Sequence, residues 1–232
     1  NVSGPGVLTL TSGFQETANS SGLEKKGTGG LILGAGSNYV LETRVSAGVL
    51  RGTLPTGAAN DLVLNGGVYE SSGTLNMALG TTAARDLRWT SGGGFSAFGG
   101  QHTIDLNTLN TRDNLTWGSG GFVVGTLILG SYLADDVVEM YDHIDLNGAL
   151  RAIQVDDNSS SANDQAVISG NLTGSGSSGI NKTGAGVLEL AGTGNSFAGP
   201  ATVTTGTLLV SGSMTAGSVT VEFMEFFLDQ RS

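Results

Sequence analysis

Short apolar runs along the chain alternate with period two. Val7-Leu8-Thr9-Leu10, Leu31-Ile32-Leu33, Leu62-Val63-Leu64, Leu127-Ile128-Leu129 and Val187-Leu188-Glu189-Leu190 each place a branched side chain at every second position. Gly, Ser, Asn or Thr bounds each run, which is the pattern of short strands separated by turns. Before the C-terminus no stretch holds helical spacing over three turns. The pattern predicts an all-β chain of roughly twenty strands.

The strands also repeat. Leu23 to Leu33 and Ile180 to Leu190 share Lys25 with Lys182, Gly27 with Gly184, Gly29 with Gly186, Leu31 with Leu188 and Leu33 with Leu190. The match runs on through Asn38 with Asn195 and resumes with Gly48-Val49-Leu50 against Gly206-Thr207-Leu208. A clipped copy, Gly4 to Leu10, opens the chain. In the middle, Leu87-Arg88-Trp89 leads through a Gly-rich stretch to Phe95, and Leu115-Thr116-Trp117 leads likewise to Phe122. The words Ile104-Asp105-Leu106-Asn107 and Ile144-Asp145-Leu146-Asn147 are identical.

Short repeating strands build a propeller, a sandwich or a solenoid. A propeller needs a regular blade signature of ~40–45 residues, which is absent. A sandwich needs tight hairpins, yet Asn-Gly occurs only at Asn65-Gly66 and Asn147-Gly148. A parallel β-helix needs glycine at corners where φ is positive and small residues where rungs crowd. The prediction is therefore an all-β, right-handed parallel β-helix over residues 1–221. At roughly 20–28 residues per rung it makes about 8–10 rungs, each rising ~4.8 Å.

Ile180 to Val210 resembles the autotransporter-associated β-strand repeat through Lys182, Gly184, Gly186, Leu188, Leu190, Gly192, Asn195, Phe197, Gly199, Val203, Gly206, Leu208 and Val210. Copies fall near residues 4–13, 23–52 and 180–212. The second copy departs from the pattern at Ala35 and Glu42, where glycine is expected. The Trp/Gly/Phe segment 85–130 is similar to the spacer rungs of long passengers. The resemblance implies a right-handed solenoid at the surface of a Gram-negative bacterium, anchored to the outer membrane through flanking regions. It implies a structural or adhesive segment, a rigid stalk or repetitive binding surface, with no catalytic residue, metal ligand or cofactor. Host or matrix glycans or proteins are the expected partners, and the isolated segment is expected to be a monomer.

Composition sharpens this picture. Glycine fills 39 of 232 positions and only 13% of residues are charged, so small side chains dominate, while three prolines are too few for collagen. A formal charge of −10 argues against nucleic acid and anionic membranes as partners, and no run suits membrane insertion. Without cysteine there is no disulfide framework or thiolate site. The Asn-Val-Ser start, lacking Met or a signal peptide, reads as a piece of a longer protein. Residues 222–232, with three Phe and no Gly, read either as an end cap or as a tail added for expression.

Candidate chemistry is sparse. Asp135, Asp136, Glu139, Asp142, Asp145, Asp156, Asp157 and Asp164 concentrate acid between residues 135 and 164, which raises calcium binding. No EF-hand loop or nonapeptide calcium repeat accompanies them. The expectation is that Asp135-Asp136 and Asp156-Asp157 are solvated carboxylates at rung corners. Asp142, His143, Asp145 and Arg151 supply the ingredients of a polysaccharide lyase, but Asp145 recurs as Asp105 without such neighbours. His102 and His143 are expected at the surface. Trp89, Phe95, Phe98, Trp117 and Phe122 form either a sugar platform or, as their recurrence favours, an internal stack. Asn38, Asn65, Asn107, Asn147 and Asn195 read as turn formers.

Overall fold

A computed structural model describes residues 6–15, 21–57, 59–80 and 85–222. Residues 4 and 5 of the clipped copy and residues 223–232 of the tail lie outside the described residues. Every strand pairing is parallel, and the strands stack on three faces of a solenoid. The first face runs through β1 (Val7–Leu10), β3 (Gly30–Leu33), β5 (Val49–Arg51), the front of β7 (Val68–Leu75) and the front of β9 (Gly93–Ile104). It continues through β11 (Leu127–Leu129), β14 (Leu150–Val155), β17 (Gly179–Thr183) and the ends of β19 (Asn195–Val203) and β21 (Met214–Val221). These are ten levels, within the predicted range, and at ~4.8 Å per level they span about 43 Å.

The second face begins only where β7 bends, and stacks the ends of β7 and β9 on β12 (Val138–Met140), β15 (Ala166–Ile168), β18 (Val187–Leu190) and β20 (Thr207–Val210). The third face is broken in two. β2 (Leu23–Lys25), β4 (Thr43–Val45), β6 (Leu62–Leu64) and β8 (Leu87–Trp89) form one stack. β10 (Asn114–Thr116), β13 (His143–Asp145), β16 (Leu172–Gly174) and the fronts of β19 and β21 form the other.

Period-two alternation makes the interior. On the first face Leu50, Tyr69, Phe95, Leu129 and Val155 stack in register, and on the second Ile104, Met140, Ile168 and Leu190 do the same. All nine are buried. Stacking like on like removes each apolar side chain from water while the ladders satisfy the backbone, so the two largest favourable terms coincide. Where the third face breaks, the chain after β10 turns inward and fills the gap with aromatics. Trp89 meets Phe95 and Phe122 edge-on at 5.6 and 5.2 Å, and Trp117 meets Phe122 at 6.0 Å.

Rung length varies more than the sequence suggests. It is 19 residues from Leu31 to Leu50 but 36 from Ile104 to Met140. The long rungs carry excursions, because a solenoid fixes only where the strands stack and leaves the corners free to grow. One excursion, residues 130–137, folds back over the outside of the first face. There Arg51, Glu70 and Ser96 lie side by side on successive strands.

Candidate functional site

The two sequence copies adopt the same local structure around a buried lysine. Lys25 ends β2, and its Nζ donates to the carbonyls of Lys26 (3.0 Å), Gly27 (2.6 Å) and, one rung on, Ala47 (2.9 Å). Lys182 in β17 donates to Thr183 (3.0 Å), Gly184 (2.7 Å) and, one rung on, Thr205 (3.0 Å). Both side chains are buried, and in its column Lys182 sits between Ile153 and Val203. Burial pushes the Lys182 ammonium down to about 8, with Asp156 opposing, so it remains cationic at neutral pH. Each lysine thus ties the corner of its own rung to the corner of the next.

The recurring glycines make room for this clamp. Gly48 and Gly206 hold φ of 65° and 72°. A Cβ there would lie 2.8 Å from Lys25 Nζ and 2.6 Å from Lys182 Nζ, and closer still to corner carbonyls. Gly27 and Gly184 share the left-handed conformation, whereas Gly186 does not. At Gly186 a Cβ would instead strike Val155 and the Asp156 carbonyl.

The acidic segment does not form one site. Asp135 accepts from the Gly99 amide, Asp136 from Val137, Asp145 from Asn147, Asp156 from the Gln154 side chain and Asp164 from Asn158. Asp135, Asp136 and Asp156 are half-buried and each accepts an amide donor, while Asp157 is exposed. Asp142 is fully buried and accepts from Leu106 (2.8 Å) and Asp113 (2.9 Å); burial raises its carboxyl to about 6. Among the described residues no three His, Asp or Glu side chains gather as a metal site.

The lyase ingredients likewise serve the backbone separately. His143 Nδ1 accepts from the Asn171 amide, and Arg151 donates to the carbonyls of Leu146 and Asn147. His102 is not at the surface but 1% exposed, because it occupies an inward position on the column of Val138, Ala166 and Leu188. Burial depresses its pKa to about 4, and its Nδ1–H donates to the Ser96 carbonyl at 2.9 Å.

Trp89, Phe95, Trp117 and Phe122 are internal, and the two indole nitrogens donate to Gly93 and Gly125. They offer no sugar platform. Phe98 alone of the five is exposed, under the Arg51 guanidinium at 3.2 Å. Asn107 and Asn147 are turn formers with φ of 61° and 51°, while Asn195 is buried and joins Leu172, Gly192 and Ser213.

A concave surface lies on the second side of the N-terminal rungs, where loops run in place of strands. A cavity of about 380 Å³ is lined by residues 36–40, residues 53–57 and Asn60. A second, of about 220 Å³, shares Thr53, Leu54 and Thr56 with it and reaches Tyr69, Ser71, Ser72, Thr74, Arg85 and His102. Nothing in the sequence marks this groove, because loop length rather than a motif creates it.

Among known families, the passenger-associated-transport-repeat model matches residues 23–51 and 180–210, about a quarter of the chain. No curated protein and no solved structure matches the chain. The matched residues are the two lysine-clamped stretches. On sequence and geometry together, the chain carries two passenger-associated transport repeats, the repeat type of autotransporter passengers, within a parallel β-solenoid.

Proposed function

We propose that this segment is a stiff structural and adhesive stretch of a secreted bacterial surface protein, holding or presenting binding elements away from the cell. The observation that carries the reading is the pair of passenger repeats, each clamped to the next rung by an internal lysine. A rod of parallel ladders resists bending because every rung is hydrogen-bonded to its neighbours along the axis. Weak contacts repeated along such a rod gain avidity without any tight site. Its partners in this reading are glycans or matrix proteins, and it works as a monomer without a cofactor.

Surface display tests the stalk. The segment is placed between an outer-membrane anchor and an epitope, and antibody access is compared with a Gly/Ser linker of equal residue number. Higher access through the segment at low antibody concentration is expected. Equal access through the flexible linker would sink the reading.

A further inference from the structure

We propose that the cavity beside the 130–137 excursion, on the outside of the first face, takes a lysine side chain of a partner protein, its ammonium on Asp156 and its aliphatic stem along Ile128. The inference rests on the adhesive half of the reading above and names the chemistry of one contact that half would use.

Outward positions of the first face run in register through Val49, Val68, Gly94, Ile128 and Gln154. Gly94 has no side chain, so the column is interrupted between Val68 and Ile128. A single cavity of about 230 Å³ lies on this column, walled by Tyr132 of the excursion and reaching Gln154 and Asp156. The Tyr132 hydroxyl is buried, which leaves the apolar part of that residue to the cavity. Val49, Val68 and Ile128 make the floor apolar, and Asp156 is the one charged residue among those described around it.

The carboxylate is both placed and accessible. Gln154 faces outward between the buried, inward Ile153 and Val155, and its Nε2 donates to Asp156 Oδ1 at 2.7 Å. That bond holds the carboxylate on the outer side of the wall. Asp156 Oδ2 has no hydrogen-bond partner among the described residues and stays open to solvent. No described Lys or Arg forms an ion pair with Asp156. Lys182 acts on it only through the wall, with its ammonium already donating to the Thr183, Gly184 and Thr205 carbonyls. Burial raises the Asp156 carboxyl above its ordinary range, a cost that a paired cation relieves. The surroundings also select the cation. With Oδ1 taken, one carboxylate oxygen remains beside the Gln154 Oε1 acceptor, which suits a point charge with three donors. The parallel N–H pair of a guanidinium needs both carboxylate oxygens. An apolar floor favours a methylene stem over a hydrated inorganic ion. The chain's formal charge of −10 adds long-range attraction for a basic partner.

The test follows the backbone amides of Ile128 and Gln154 by NMR while Nα-acetyl-lysine methylamide, or its arginine or norleucine counterpart, is added at constant ionic strength. The lysine compound is expected to give saturable shifts, with the other two at least about tenfold weaker. Asp156→Asn, which keeps an acceptor for Gln154, is expected to weaken lysine binding about tenfold, and Ile128→Thr about fivefold. Absence of saturation with the lysine compound, an arginine or norleucine counterpart that matches it, or undiminished binding in Asp156→Asn overturns the proposal. The three compounds on the parent protein decide the matter even where a variant fails to fold. Adhesion of the segment to a matrix protein that persists after that protein's lysines are acetylated overturns the lysine site and leaves the adhesive reading standing.

Discussion

At the scale of single residues, the solenoid is pinned by charges where its sequence pattern calls for apolar side chains. Lys182→Met removes the donor shared by the Thr183, Gly184 and Thr205 carbonyls and is expected to cost about 2 kcal/mol in urea unfolding. Gly206→Ala meets both a left-handed backbone and the Lys182 ammonium, and a loss of about 2 kcal/mol or more is expected there. His102 and Asp142 give the pH dependence, with opposite signs. The folded pKa of His102, about 4, lies below its ordinary 6.5, so the unfolded chain takes the proton first and stability falls as pH drops from 6.5 to 4. The folded pKa of Asp142, about 6, lies above its ordinary 3.8, so the folded chain takes the proton first and stability rises as pH drops from 6 to 4. Each contribution is about 3 kcal/mol, and the two largely cancel. His102→Phe is expected to become more stable at pH 4 than at pH 7, relative to the parent, and Asp142→Asn less stable; unfolding curves at both pH values check this.

At the scale of elements, strands and excursions divide the work. Strand positions were legible because period-two runs such as Leu127-Ile128-Leu129 bury their alternate side chains inside the stack, although the run at Val7 and Leu8 on the end level stays exposed. Register and burial of polar residues were not. His102 looks like a surface group in the sequence and nothing there places Lys25 or Lys182 inside; only stacking against neighbouring rungs shows all three to be buried. The one available signal was internal: Lys25 and Lys182 match between copies, each two residues before a matched glycine. The strap at 130–137 was equally hidden, since its anchors lie far away in sequence. Glu70, fully buried, accepts from Arg51 Nε at 2.6 Å, from Ser96 at 2.7 Å and from Ser131 of the strap at 2.5 Å. Arg51 in turn donates to the Leu133 carbonyl at 3.0 Å. Glu70→Ala leaves that guanidinium and two hydroxyls without their shared acceptor, and a loss of about 3–5 kcal/mol is expected. Faster backbone hydrogen exchange confined to residues 130–137 and their neighbours would show that the strap has lifted.

At the scale of the whole molecule, the two passenger repeats are turned by one face relative to each other. The lysine-bearing strand and the strand after it lie on the third and first faces in the first copy, and on the first and second faces in the second copy. Outward residues of equivalent position therefore look in different directions, and the rod is not a ribbon with one binding side. Its length, by contrast, was legible from the chain length and the residues needed per rung. The strap adds a property that no rung has by itself. Tyr132 and Leu133 pack against Gly30 on the second level, although the strap leaves from the sixth. When the rod is pulled from its ends, rungs outside this span can peel away singly, each small and brief. The levels bridged by the strap must rupture together, as a buckle holds several turns of a strip. Force spectroscopy on the parent is then expected to show one large step among small ones, and Glu70→Ala to break that step into a series. A surface rod built this way keeps a rigid middle after its ends have frayed.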